Sequence, residues 1–176
     1  MTSLGELLTE SANRVNKAAS SLKSILEWLY KEHDVDAFTI EYEGSDDSGT
    51  IDSVSLYCNY DPDKLCGGDP KELDRVGSVK IPLDVYACIP TRWSPDDKRM
   101  VECDPIQVTV NDALSDLGWD LAYGKNPGFE INEGGYGTVT AVIRHNTSPQ
   151  LPPRTVEITL DHNERVTEIA SYSYEF

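Results

Sequence analysis

Apolar positions in the first thirty residues recur at helical spacing. Leu4, Leu7, Leu8, Val15, Leu22, Ile25, Leu26 and Leu29 fall mostly three or four apart, with Ala12, Ala18 and Ala19 between them. The pattern predicts one long helix over residues 4–33. Ser3 and Glu6 have the spacing of a capping box, and no Gly or Pro interrupts the run after Gly5. Thirty residues at 1.5 Å each span roughly 45 Å, more than a domain of this size needs. Leu8, Val15, Leu22 and Leu29 also recur every seven, with Leu4, Ala18 and Ile25 interleaved. A helix lying across a sheet explains most of the pattern. A two-helix seam would explain the extra length, so a homodimer through 4–29 is also expected.

The period then shortens to two. Residues 36–43 set Phe38, Ile40 and Tyr42 against Thr39 and Glu41, and residues 51–58 continue with Ile51, Val54, Leu56 and Cys58. Between them, 44–49 is composed of turn residues. Six of the ten prolines fall in 59–105, which reads as a loop-rich insertion. One short strand is expected there within 77–89, followed by a locally basic tract at 91–99. A second helix follows, capped by Thr109 or Asn111, with Ala113, Leu114, Leu117, Trp119 and Leu121 as its apolar face. After a glycine-rich loop at 124–137, strands are expected at 138–144, 155–160 and 166–176, the last two joined by a tight turn at 161–165. This order predicts one α+β domain over 1–176. Its antiparallel sheet has four to six strands, with the long N-terminal helix and the second helix packed on one face.

Charge changes the picture more than length does. The chain has 176 residues with 31 Asp or Glu against 15 Lys or Arg, a formal charge of −16. Such an excess argues against direct nucleic-acid binding, which needs cations to displace phosphate counterions. It equally disfavours an anionic membrane surface. The excess is uneven. Residues 1–33 are neutral, whereas 34–66 hold nine acids and one base. Residues 67–105 hold eight and six, and 106–176 hold ten and four. The acidity therefore belongs to predicted folded hairpins rather than to a solvating tail. Residues 1–6 lack the basic and apolar pattern of a secretory leader, which predicts a cytoplasmic protein. Cys58, Cys66, Cys88 and Cys103 contain no Cys-x-x-Cys pair, and free thiols are expected, with a four-cysteine zinc site left open. Apolar surroundings suggest that Cys58 and Cys88 are buried.

Candidate chemistry is sparse. Three acidic pairs fall on expected loops: Asp46 with Asp47, Glu130 with Glu133, and Asp161 with Glu164. Converging, they could hold a hard cation, although Asp, Asn and Gly are also what tight turns require. Asp47-Ser48-Gly49 has the local look of a serine nucleophile but no supporting elbow. His162 is expected exposed in its turn, and His33 would favour the C-terminal dipole of the first helix. Gly134-Gly135-Tyr136-Gly137 precedes a strand, whereas a phosphate loop should follow one and open a helix. No catalytic residue, metal or cofactor is assigned.

Four segments taken together carry a resemblance: 42–49, 111–120, 129–137 and 159–165. They are similar to an uncharacterised family of small bacterial and mobile-element proteins. That family shows a Gly-Asp-Ser-Gly turn, a Trp-Glu-Asn-Asn-Asp-Gly-x-Tyr-Gly loop and an Asn-Glu-Arg turn. Here Phe129 replaces the Trp, and Ile131 and Glu133 replace polar positions. The resemblance covers about two thirds of the chain, leaves 59–105 outside it and implies a setting of plasmids and prophages but no activity.

The expected function is therefore binding without catalysis. Glu41, Glu43, Asp46, Asp47 and Asp52 on the first hairpin, Asp112, Asp116 and Asp120 on the second helix, and Glu130 and Glu133 in the glycine-rich loop would face a basic protein partner. A nuclease or another nucleic-acid-binding effector fits that description, with the chain acting as an inhibitor of the anti-CRISPR or anti-restriction type. The alternatives are a metal-dependent enzyme using the loop carboxylates, or an oligomeric assembly subunit.

Overall fold

The computed structural model describes residues 4–45, 47–60, 70–128, 134–146, 150 and 152–164. In chain order the elements are α1 (Leu4–His33), β1 (Ala37–Ser45), β2 (Ser48–Tyr57), α2 (Pro70–Gly77), β3 (Thr91–Ser94), β4 (Arg99–Glu102), α3 (Val110–Lys125), β5 (Gly135–His145) and β6 (Arg154–Glu164). Four strands make one antiparallel sheet in the order β2-β1-β5-β6, and β3 with β4 form a separate hairpin. The architecture is α+β, as the alternation of periods predicts.

Register explains the core. Ile40 of β1 pairs with Val54 of β2 and Val139 of β5, and Val139 pairs with Leu160 of β6. One step along, Leu56, Phe38, Ala141 and Ile158 form a parallel row. Both rows belong to the hydrophobic core beneath α1 and α3. The first helix lies over β5 and β6, and α3 lies over β1 and β2. From α1, Leu22, Ile25, Leu26 and Leu29 are fully buried, each contributing about 1.5–3 kcal/mol by leaving water. Gly118 lets α3 approach the sheet, since a Cβ there would stand 2.7 Å from Cγ2 of Ile40. Thr109, rather than Asn111, is the N-cap of α3, its hydroxyl accepting from the Asp112 backbone N–H.

The length of α1 has a use within one chain. Its N-terminal half passes the end of α3, where Ser11 Oγ donates to the Gly124 carbonyl at 2.8 Å. Val15, Ala18, Leu22, Ile25 and Leu29, the seven-residue seam, are buried in the chain's own core. From Val15 to Leu29 that seam is filled from within the chain.

Several expected boundaries change. The 44–49 linker shrinks to a two-residue turn, because Ser45 already pairs with Ser48 and Gly44 with Gly49. Asp47 takes the left-handed conformation there, with φ 65°. Glu41 pairs with Ser53 and Tyr42 with Ile51, so Asp52 is the extra residue of a β-bulge. No strand forms within 77–89. Instead Val85 and Tyr86 N–H groups turn back onto the Pro82 carbonyl, and only the single bridges Lys80–Thr109 and Cys88–Ile106 remain. The basic tract 91–99 opens the β3–β4 hairpin, with Trp93 opposite Met100.

The turn expected at 161–165 is corrected too. Asp161, His162, Asn163 and Glu164 continue β6 because β5 starts early, at Gly135, and offers them partners as far as that residue. Arg165 and the strand expected at 166–176 lie outside the described residues, as does Cys66. Cys58, Cys88 and Cys103 are half-buried, so the expectation of buried thiols at 58 and 88 holds only in part. Among the described residues no helix is long and apolar enough to cross a membrane.

Candidate binding face of the sheet

Alternation that sends Phe38, Ile40 and Tyr42 toward the helices sends their neighbours the other way. Three cross-strand rows make up the opposite face: Ser55–Thr39–Thr140–Thr159, Ser53–Glu41–Thr138–Asp161 and Thr50–Glu43–Tyr136–Asn163. These side chains are short hydroxyls, carboxylates, one carboxamide and one large phenol. Both long helices pack on the other side.

At one end of this face, Glu41, Glu43, Asp52, Tyr136 and Thr138 line an open groove of about 390 Å³. Glu41 and Glu43 arrive there by the two-residue period of β1, and the bulge brings in Asp52 from β2. Ser53 Oγ donates to Glu41 Oε2 at 2.8 Å, which orients that carboxylate while leaving its other oxygen open. Tyr136 is 47% exposed, an aromatic ring beside the carboxylates.

The sheet under the groove is braced from its helix side. Tyr42 reaches across Gly137 to His162, with its hydroxyl 2.9 Å from Nδ1 and the two rings stacked within 8°. Only glycine permits the crossing, because a Cβ on residue 137 would lie 2.5 Å from the Tyr42 hydroxyl and collide with the Asp161 carbonyl. Burial first, and the neighbouring Asp161 second, push the Tyr42 phenol up to about 12. His162, expected exposed in a turn, is therefore a half-buried strand residue with a specific partner.

The structure divides the remaining acidic residues. Asp112, Asp116 and Asp120 lie on α3 in the helix layer, apart from the groove. Asp112 accepts from the Thr109 hydroxyl at 2.6 Å, and Asp120 accepts from Arg14 Nε of α1 at 2.8 Å. Burial, then Asp120 and Asp112, raise the Asp116 carboxyl above the usual range. Tyr86 is pushed up to about 12 by burial, with Cys88, Asp116 and Asp120 adding to it. Two members of the expected stripe thus also serve the chain's own cap and helix pairing.

Asp47, Asp161 and Glu164 lie toward one end of the sheet, because Ser45–Ser48 and Gly135–Glu164 close the same end of the ladder. Asp46, Glu130 and Glu133 lie outside the described residues. Among the described residues no three His, Cys, Asp or Glu side chains are grouped to hold a metal ion. Ser53, Tyr136 and Thr138 join the site although the sequence did not single them out. The signal was the alternation Tyr136, Thr138, Thr140, hidden by starting that strand at residue 138 instead of Gly135.

No curated protein and no solved structure matches the chain. Residues 75–176 match a family of unknown function, DUF6878. The matched stretch supplies β3 to β6 and α3, whereas Glu41, Glu43 and Asp52 come from the part before it. It also takes in residues 75–105, which the resemblance had left out. Spanning more than half of the chain, this match makes the protein a member of the uncharacterised family DUF6878.

Proposed function

We propose that the protein is a non-enzymatic binding module that presents the open face of its sheet to a basic protein partner. The observation that carries this reading is the groove, where Glu41, Glu43 and Asp52 stand beside exposed Tyr136 on a rigid sheet. Carboxylates fixed on strands attract a cationic surface at long range, and an aromatic ring among them adds short-range contact area. In its specific form the module is an inhibitor encoded by a phage or mobile element, of the anti-CRISPR or anti-restriction type. It would occupy the basic surface of a nuclease or another nucleic-acid-binding effector.

The test is association with a panel of purified basic nucleases across a salt series, for the parent chain and for a triple variant, Glu41→Gln, Glu43→Gln and Asp52→Asn. The expected result is affinity that falls with ionic strength and falls at least about tenfold in the variant. Affinity indifferent to both salt and substitution refutes the reading.

A second reading, an assembly subunit, is favoured by a different observation. Leu83, Ile89, Trp93, Met100 and Ile106 are all exposed apolar residues in one stretch of chain. Light scattering at increasing concentration, with and without Trp93→Ser and Met100→Ser, tests it. A monomer throughout removes it.

A further inference from the structure

A second concavity lies at the opposite end of the sheet from the acidic groove. It is a cleft of about 440 Å³ between the last turns of α1 and the β5–β6 ladder, within the size range of small-molecule sites. Its apolar walls are Ile143, Pro153 and Val156, and its polar end is formed by Arg154 and Tyr30, with Glu27 and Lys31 on the helix side.

Arg154 decides what the cleft can take. Its guanidinium carbon sits 4.9 Å from the centroid of the Tyr30 ring. That ring is in turn flanked by His145, at 6.0 Å between centroids, and His145 is the strand partner of Arg154. One face of the guanidinium is therefore held by an aromatic ring. Its edge donors are unused, since among the described residues Arg154 makes no side-chain hydrogen bond or ion pair. Arg14 and Arg144, by contrast, each close on a carboxylate, Asp120 and Glu157. A stacked guanidinium with free edge donors matches the two oxygens of a carboxylate and loses little freedom on binding it. Glu27 lines the same cleft and Lys31 is already paired with Glu32, so a doubly charged phosphate meets more repulsion there than a single carboxylate.

We infer that this cleft binds an amphiphilic carboxylate, its head on Arg154 and its apolar body against Tyr30, Ile143 and Val156. A free organic acid and the C-terminal residue of a peptide share that chemistry. The inference does not depend on the acidic face, which lies about 25 Å away along the strands at 3.3 Å per residue.

Calorimetry on the full chain tests it with four probes: phenylpropionate, its amide, the peptide Gly-Gly-Phe, and the same peptide amidated. The expected result is saturable binding of phenylpropionate or of the free-acid peptide, with each amide at least about tenfold weaker. Which of the two acids binds more tightly identifies the source. Arg154→Gln abolishes binding, and Arg154→Lys, which keeps the charge but not the fork, weakens it. Arg154 is exposed, so both variants should melt with the parent. The triple variant of the acidic groove should bind as the parent does, which separates this inference from the proposed function. No saturable binding at millimolar probe, equal binding of acid and amide, full binding by Arg154→Gln, or tighter binding of inorganic phosphate each overturns it.

Discussion

The β1–β2 and β3–β4 hairpins are both antiparallel ladders closed by short polar turns, yet only the first has a side to bury. In β1 every second residue, Phe38, Ile40 and Tyr42, enters the core, and the residues between them form the acidic face. In β3 and β4 no residue is buried, and Trp93 and Met100 face each other at 59% and 55% exposure. The second hairpin is held by its ladder, by the Ser94–Asp97 turn bonds and by the Cys103–Pro90 backbone bond. Among the described residues this ribbon buries no side chain of its own, and an isolated two-stranded ribbon is marginal in water. The contrast teaches that strand pairing is cheap to propose from sequence, whereas burial decides which pairing is structurally firm.

The largest effect that could break this contrast is a core truncation. Ile40→Ala should cost about 2–4 kcal/mol in denaturant unfolding, while Trp93→Ala should stay within about 0.5 kcal/mol. Similar losses at the two positions would erase the distinction. Hydrogen exchange probes it without mutation: β1 amides should open only with global unfolding, and β3–β4 amides by a local route of lower free energy.

A smaller effect lies behind the groove, on the helix side of the sheet. Tyr42→Phe removes the bond to His162 and should cost about 1 kcal/mol near neutral pH. It should also change the alkaline limb. The Tyr42 phenol is raised from 10.0 to about 12, so the neutral form is favoured in the folded state. That contribution is complete below pH 10 and is lost as pH rises from 10 to 12. Stability should therefore fall over that window, and less steeply in Tyr42→Phe. Tyr86, raised in the same direction, keeps some slope in the variant. An identical slope in both proteins would rule out Tyr42 as a source of the alkaline loss. The smallest effect belongs to the exposed pair between α1 and α3, where Arg14→Gln should cost less than about 1 kcal/mol.

Much of the fold was legible because burial writes itself as period. The long helix, the β1–β2 hairpin, α3 and the strands β5 and β6 all show it, and Glu41, Glu43 and Asp52 follow from strand alternation on an acidic segment. What was not legible depended on partners distant in sequence. Only the early start of β5, at Gly135, Tyr136 and Gly137, gives Glu164, Asn163 and His162 something to pair with, which turned an apparent turn into strand. Only α1 gives Asp120 its arginine, a contact between helices that the spacing along α3 does not show. The β3–β4 hairpin was obscured by prolines, since Pro90 and Pro95 lie at its edges and signal loop more strongly than the four-residue strands signal pairing.

The bulge at Asp52 has a consequence beyond adding a carboxylate to the groove. Among the described strands β2 is an outer one, and an outer strand offers unpaired amides to any extended chain that drifts past. A bulge with a charged residue at its centre breaks the regular spacing such a chain would need and coils the rim away from it. The same residue thus works against self-templated growth of the sheet, and under the proposed function it leaves recognition to the broad side of the strands rather than to their margin.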